Sequence, residues 1–145
     1  MIFKPNPINE LFQGSLQYTF KCKSCSNQTK NTEAFNEIIL SLPKSEKPLD
    51  INQLLMNYLK PEILNDYFCE KCKVKTDSCE KTTIISKYPP VLIFVLNIFN
   101  VLDAEQVNKI NRIVEVPLQL KNLQYNLDSV VCHYGNSVDY GHYIR

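Results

Sequence analysis

Two Cys-x-x-Cys pairs carry the most distinctive chemistry in this sequence of 145 residues: "CKSC", with Cys22 and Cys25, and "CEKC", with Cys69 and Cys72. A two-residue spacer lets a tight turn aim both sulfurs at one point. Two such turns complete a tetrahedral four-thiolate site suited to Zn²⁺. Lys21, Lys23, Lys71 and Lys73 flank the cysteines and would help offset the double negative charge of that centre. Four thiolates leave no coordination position open to a substrate, so such a metal is structural. Its apparent binding energy, on the order of 10 kcal/mol, could hold together a thin β-ribbon with little core of its own. Because 43 residues (26–68) separate the pairs, strands must pair across the gap to bring them together. Two disulfides and a redox Cys-x-x-Cys are the competing readings. The first is disfavoured without a secretory signal, and the second lacks a neighbouring βαβ pattern.

The other reactive side chains are Cys79, Cys132 and the two histidines, His133 and His142. Cys132 lies in an apolar stretch and reads as a small buried hydrophobe, and Cys79 as structural or incidental. His142 follows Gly141, which permits close backbone approach. By spacing alone His142 reads as a strand-end histidine and His133 as a satisfied strand residue. A Cys–His mechanism needs an exposed, activated thiolate within hydrogen-bond reach of the imidazole. The four paired cysteines are consumed by metal, and neither of the other two has a setting that lowers its pKa. The residues by themselves offer a base without a nucleophile.

The elements that must position these groups are mostly strands. An extended segment begins near Ser15 and runs into the first cysteine pair, and "TEAFNEIILSLP" forms another that Pro43 ends. "KSEKP" is a polar connection. Ile51, Leu54, Leu55, Tyr58 and Leu59 recur at helical spacing, with Asp50 as N-cap and Pro61 as the far bound. From Asp77 onward "DSCEKTTIIS", "VLIFVLNIF", "VNKINRIVEVPLQL" and "LDSVVCHYG" read as extended, giving about six strands and one clear helix. Hydrophobic content of 44% and charged content of 21% suit one soluble globular domain. A net charge of +1 supplies no dominant field for nucleic acid or a membrane surface. "MIFKPNPINE" does not read as a signal peptide. The run Val91–Leu96 is far short of the roughly 20 residues a membrane helix needs. Six cysteines in that context point to a reducing compartment, cytoplasmic or nuclear.

The order of motifs resembles the ubiquitin-specific protease family. "LFQGSL", Cys-x-x-Cys, "TEAFNEIILSLP", a helix, "YFCEKC", "KTTIISKYPPVLIFVLNIF", "CHYG" and "YGHY" follow one another as in the C-terminal two-thirds of that catalytic domain. The likeness covers about residues 11–143. The family is papain-like, built as fingers, palm and thumb. The implied fold is therefore α+β and mostly β, a partial papain-like cysteine protease in which residues 15–86 form β-ribbon fingers and 87–145 an antiparallel palm. Carried over, His142 would be the general base, and Gly141, Tyr143 and His133 would border the channel for ubiquitin's C-terminal tail. Cys22, Cys25, Cys69 and Cys72 would hold the zinc of the fingers.

The resemblance implies thiol hydrolysis of the bond after ubiquitin's terminal glycine, with ubiquitin and ubiquitinated proteins as partners. Three departures stand beside it. Nothing before Leu11 resembles the family's cysteine box, Ile98 replaces the palm arginine, and Ile144-Arg145 follows "GHY" where a small residue and Ala-Tyr are usual. The expectation is a fragment that carries the base and not the nucleophile, inactive in isolation. Two other classes remain in play: an inactive protease-like scaffold for protein contact, and a zinc ribbon that binds nucleic acid.

Overall fold

The computed structural model of the chain describes residues 6–43, 48–103, 106–135 and 140–145, so most of the expected "KSEKP" connection lies outside the described residues. The elements in chain order are α1 (Pro7–Phe12), β1 (Gly14–Cys22), β2 (Gln28–Phe35), β3 (Ile38–Ser41), β4 (Leu49–Asp50), α2 (Ile51–Tyr58), β5 (Glu62–Leu64), β6 (Tyr67–Cys69), β7 (Val74–Thr76) and β8 (Cys79–Lys87). There follow β9 (Phe94–Asn97), β10 (Phe99–Asp103), β11 (Gln106–Lys109), β12 (Val114–Glu115), β13 (Gln119–Leu120), a 3-10 turn (Lys121–Leu123), β14 (Tyr125–Asn126), β15 (Cys132–Tyr134) and β16 (His142–Ile144). The expected mostly-β α+β class is what folds. It is more finely divided than the expected six strands and one helix.

Local chemistry explains the divisions. Asn6 caps α1 by accepting the Ile8 N–H on Oδ1 at 3.1 Å, with Pro7 at the first helical position. No apolar stripe marked that short helix, and none of its residues is buried. "TEAFNEIILSLP" splits into β2 and β3, because β2 pairs with β1 whereas β3 pairs with β9. "VLIFVLNIF" breaks at Ile98, whose N–H turns back onto the Leu96 carbonyl at 2.9 Å.

Two compact units emerge. One combines the described residues up to Ile38 with Leu59–Phe94, and the other combines those of Ile39–Tyr58 and Val95–Arg145. The described residues of 39–58, inside the stretch expected to form fingers, thus cluster with the C-terminal strands.

The first unit is an antiparallel sheet in the order β2-β1-β8-β5. Leu16 opposes Ile85 in the β1–β8 register and both are buried, as is Phe35 at the end of β2. Gly14 packs where a Cβ would strike the Phe35 ring and lie 2.8 Å from the Lys87 carbonyl oxygen. Across the face, Lys81 reaches Glu62 at 2.8 Å and covers the Tyr18 ring at 5.1 Å.

The second unit is assembled from pairs: β3 with β9, β4 with β12 in parallel, and the hairpins β10–β11, β13–β14 and β15–β16. Its buried apolar residues are Leu40, Leu49, Ile51, Leu54 and Leu55. The helical stripe expected at Ile51, Leu54 and Leu55 is the buried face of α2, while Tyr58 is the last helical residue and exposed. Asp50 Oδ1 accepts the Gln53 N–H at 3.0 Å, which is the N-cap the sequence predicts. Replacing Asp50→Ala is expected to lower the unfolding free energy by about 1 kcal/mol in urea denaturation, with Asp50→Asn retaining most of it.

Candidate metal centre and histidine hairpin

The first unit carries the four paired cysteines at one end. β1 ends at Cys22 and β8 begins at Cys79, and the two are register partners. The first knuckle leaves β1 there and returns through the Cys22 N–H, which donates to the Asn27 carbonyl at 3.0 Å. The second knuckle is the tip of the β6–β7 hairpin, whose Cys69 pairs with Val74. The hairpin is fastened to the first knuckle's strands by Tyr67, which stacks on Phe20 with centroids 5.8 Å apart and hydrogen-bonds Thr29 Oγ1 at 3.1 Å.

The two knuckles share one backbone geometry. Ser26 N–H donates to Cys22 O and Lys73 N–H to Cys69 O, both at 2.8 Å. Ser26 and Lys73 also take left-handed φ values of 57° and 59°. That conformation costs about 1–2 kcal/mol for a side chain with a Cβ, so its recurrence after both pairs marks a constrained turn.

The outcome is convergence of four sulfurs, all within 4.8 Å of one another. Cys25 and Cys69 sulfurs are 3.6 Å apart, and Cys22 and Cys72 sulfurs 4.0 Å. Zn–S bonds of about 2.3 Å in a tetrahedron require sulfurs roughly 3.8 Å apart. Those two separations lie close to that edge length, and the four sulfurs together could hold a four-thiolate metal. Backbone donors reinforce it: the Cys72 N–H points at Cys69 Sγ at 3.5 Å. The Cys25 N–H, the largest influence on Cys22, holds that thiol down to about 6, whereas hydrogen bonds with the Cys25 and Cys69 thiols push Cys72 up to about 12.

Cys79 suits the structural reading, whereas Cys132 departs from the one expected of it. Cys79 is fully buried beside the cluster, and its burial pushes the thiol up. Cys132, expected to be buried, is exposed at the start of the three-residue strand β15.

The histidines lie in the second unit on the β15–β16 hairpin, where His133 pairs with Tyr143 and Tyr134 with His142. Alternation puts Cys132, Tyr134, His142 and Ile144 on one face and His133 and Tyr143 on the other. His142 is exposed and His133 half-buried. The His133 ring tilts against Tyr143 at 5.2 Å and meets the Phe99 ring edge-on at 5.9 Å. Its buried Nδ1 has no hydrogen-bond partner among the described residues, so it is not the satisfied strand histidine that spacing suggests. Gly141 presses on the same ring: a Cβ there would strike His133 Nε2 and stand 2.7 Å from the Tyr134 carbonyl oxygen. Gly135, at φ 148°, makes the bend after β15, and a Cβ there would meet the Tyr140 carbonyl oxygen at 2.6 Å. Lys109, which no sequence signal singled out, donates from Nζ to the carbonyls of His133 at 2.8 Å and Gly135 at 2.6 Å.

A family profile described as ubiquitin carboxyl-terminal hydrolase matches residues 3–145. The chain belongs to this family. It is similar to ubiquitin carboxyl-terminal hydrolase 23 of Arabidopsis thaliana, 30% identical over 97% of the chain, and to hydrolase 13 of Saccharomyces cerevisiae, 28% identical over 96%. It spans 17% and 20% of those two proteins' lengths. Among solved structures it superimposes on the SAGA Ubp8/Sgf11/Sus1/Sgf73 DUB module bound to ubiquitin aldehyde, with a TM-score of 0.77, 25% identity, and coverage of 94% of this chain and 33% of that one. The same module bound to monoubiquitin gives a TM-score of 0.80 at 27% identity. The mostly-β partial fold of a ubiquitin carboxyl-terminal hydrolase, with the four-cysteine cluster in one unit, is therefore the architecture of this chain.

Purified chain is expected to carry one zinc per molecule by elemental analysis, and Cys22→Ser to lose it together with several kcal/mol of unfolding free energy. Retention is expected to weaken as pH falls through the thiol range, since protons compete for the same sulfurs. Gly141→Ala is expected to destabilise the chain by about 1–3 kcal/mol and to shift the NMR signals of His133, while zinc content stays at one.

Proposed function

We propose that this chain is the fingers-and-palm part of a ubiquitin-specific cysteine protease, with His142 as general base. The reading is carried by the β15–β16 hairpin: an exposed imidazole preceded by a glycine that has no room for a side chain. Family membership gives that hairpin its context. His142 would take the proton from a cysteine thiol, and the thiolate would attack the carbonyl carbon of ubiquitin's terminal glycine. As the tetrahedral adduct collapses, the imidazolium returns its proton to the leaving lysine amine, and water then hydrolyses the thioester. Gly141, Tyr143 and His133 would flank the ubiquitin tail. Cys22, Cys25, Cys69 and Cys72 would hold Zn²⁺, whose role there would be structural, linking the two knuckles.

The nucleophile is proposed to come from outside this chain. Four cysteines converge in the cluster, Cys79 is fully buried, and the exposed Cys132 sits in a three-residue strand rather than at a helix N-terminus that would activate its thiol. Ubiquitin and ubiquitinated proteins are the proposed partners, in cytoplasm or nucleus. A scaffold without catalysis is favoured by one observation, the tight turn at Ile98 where the family has an arginine.

The chain is expected to bind ubiquitin in an NMR titration, independently of moderate salt, and to release no fluorophore from a ubiquitin C-terminal fluorogenic substrate. Turnover that disappears in Cys132→Ala would place the nucleophile on this chain and overturn the assignment. Binding to DNA and none to ubiquitin would overturn the family function for this segment.

A further inference from the structure

The hairpin that carries His142 is too short to hold itself. β15 and β16 pair through three residues each, and an isolated two-stranded ribbon is marginal in water even when longer. Its flank is secured from a different hairpin. Lys109 is the last residue of β11 and stands directly opposite Phe99 in β10, so the two side chains project from the same face of that ribbon. Phe99 meets the His133 ring edge-on, and the Lys109 ammonium bridges the carbonyl oxygens of His133 and Gly135. Both bonds are charge-assisted and short, at 2.8 and 2.6 Å, and the ammonium is partly buried.

The clamp's placement ties it to the base. The two carbonyls that Lys109 holds belong to the residues on either side of Tyr134, and Tyr134 is the residue paired with His142. Gly135 supplies the second carbonyl from a φ of 148°, a bend that places it beside the first. An ammonium suits this position better than a neutral donor. It carries several hydrogens on one centre and can satisfy two converging carbonyls at once.

We propose that Lys109 is a positioning residue for His142: it locks the backbone of 133–135 and thereby the strand pairing that sets where the imidazole stands. It touches neither substrate nor the reacting atoms, and the proposal rests on the reading of His142 as the base. The test uses isotopically labelled full 145-residue chain and compares wild type, Lys109→Met and Lys109→Arg. Methionine keeps the length and removes the donors, while the guanidinium can again span two carbonyls.

In Lys109→Met, amide exchange at the described residues of 133–144 is expected to rise by about tenfold or more, with displaced NMR signals of the His142 ring. Amides of the β1–β2–β8 sheet and the zinc content should not change. Lys109→Arg should recover both hairpin readouts. Unchanged exchange and unchanged His142 ring signals in Lys109→Met would overturn the proposal. So would loss of protection everywhere at once, which would make Lys109 a general stability residue. Failure of wild-type chain to bind ubiquitin removes the reaction but not the clamp, so the two ideas fail separately.

Discussion

The register between β1 and β8 is the constraint on which the metal-bearing unit depends. Cys22 opposes Cys79 at the end of that pairing, and the first knuckle begins there. A slip of one residue would turn Leu16, Ile85 and both cysteines to opposite faces. The facing of these core residues and of Cys22, one member of the cluster, is thus specified by a single alignment. A bound metal stabilises that alignment in turn, because it links residues that are 50 and 44 positions apart in sequence. A small sheet with few buried apolar side chains gains more from such a link than a large core would.

Where the sequence carries a periodic or chemical signature, the fold is legible in it. The paired cysteines, the cap at Asp50 and the stripe of Ile51, Leu54 and Leu55 all reappear as expected, because each reflects a local rule that tertiary structure has no reason to override. The strands are less legible. An apolar run such as Val91–Phe99 states that residues are extended or buried. It does not state where a strand changes partner, and the break at Ile98 follows from a backbone turn with no glycine or proline to announce it. Cys132 was misplaced for a related reason. Its apolar neighbours Val130 and Val131 suggested a core strand, yet both are exposed.

The candidate histidine site was legible only through motif order. His142 has no composition or periodicity signal of its own. The glycines beside it become informative only with the pairing known, when Gly141 is seen to face His133 and Gly135 to turn the chain. Lys109 had no signal at all, since a lysine at a strand end is ordinarily a solvated side chain.

The second unit shows why such lysines matter. Its strands run two to five residues, and Ile113, Leu118, Tyr140 and Tyr143 leave between 76% and 82% of their surface exposed. Burial therefore contributes little around those strands, and side chain–backbone bonds must carry part of the ordering. Lys109 does so at the histidine hairpin, and Arg112 does so where its guanidinium donates to the Pro43 carbonyl at 2.6 Å. Each spans long sequence separation with one polar side chain. Such bonds contribute only about 1–3 kcal/mol apiece, so they are too weak to create a core but strong enough to select one arrangement of short strands over another. A catalytic base needs that selection more than it needs bulk stability. The base proposed at His142 would tolerate a marginal fold, but not an imidazole displaced by an ångström.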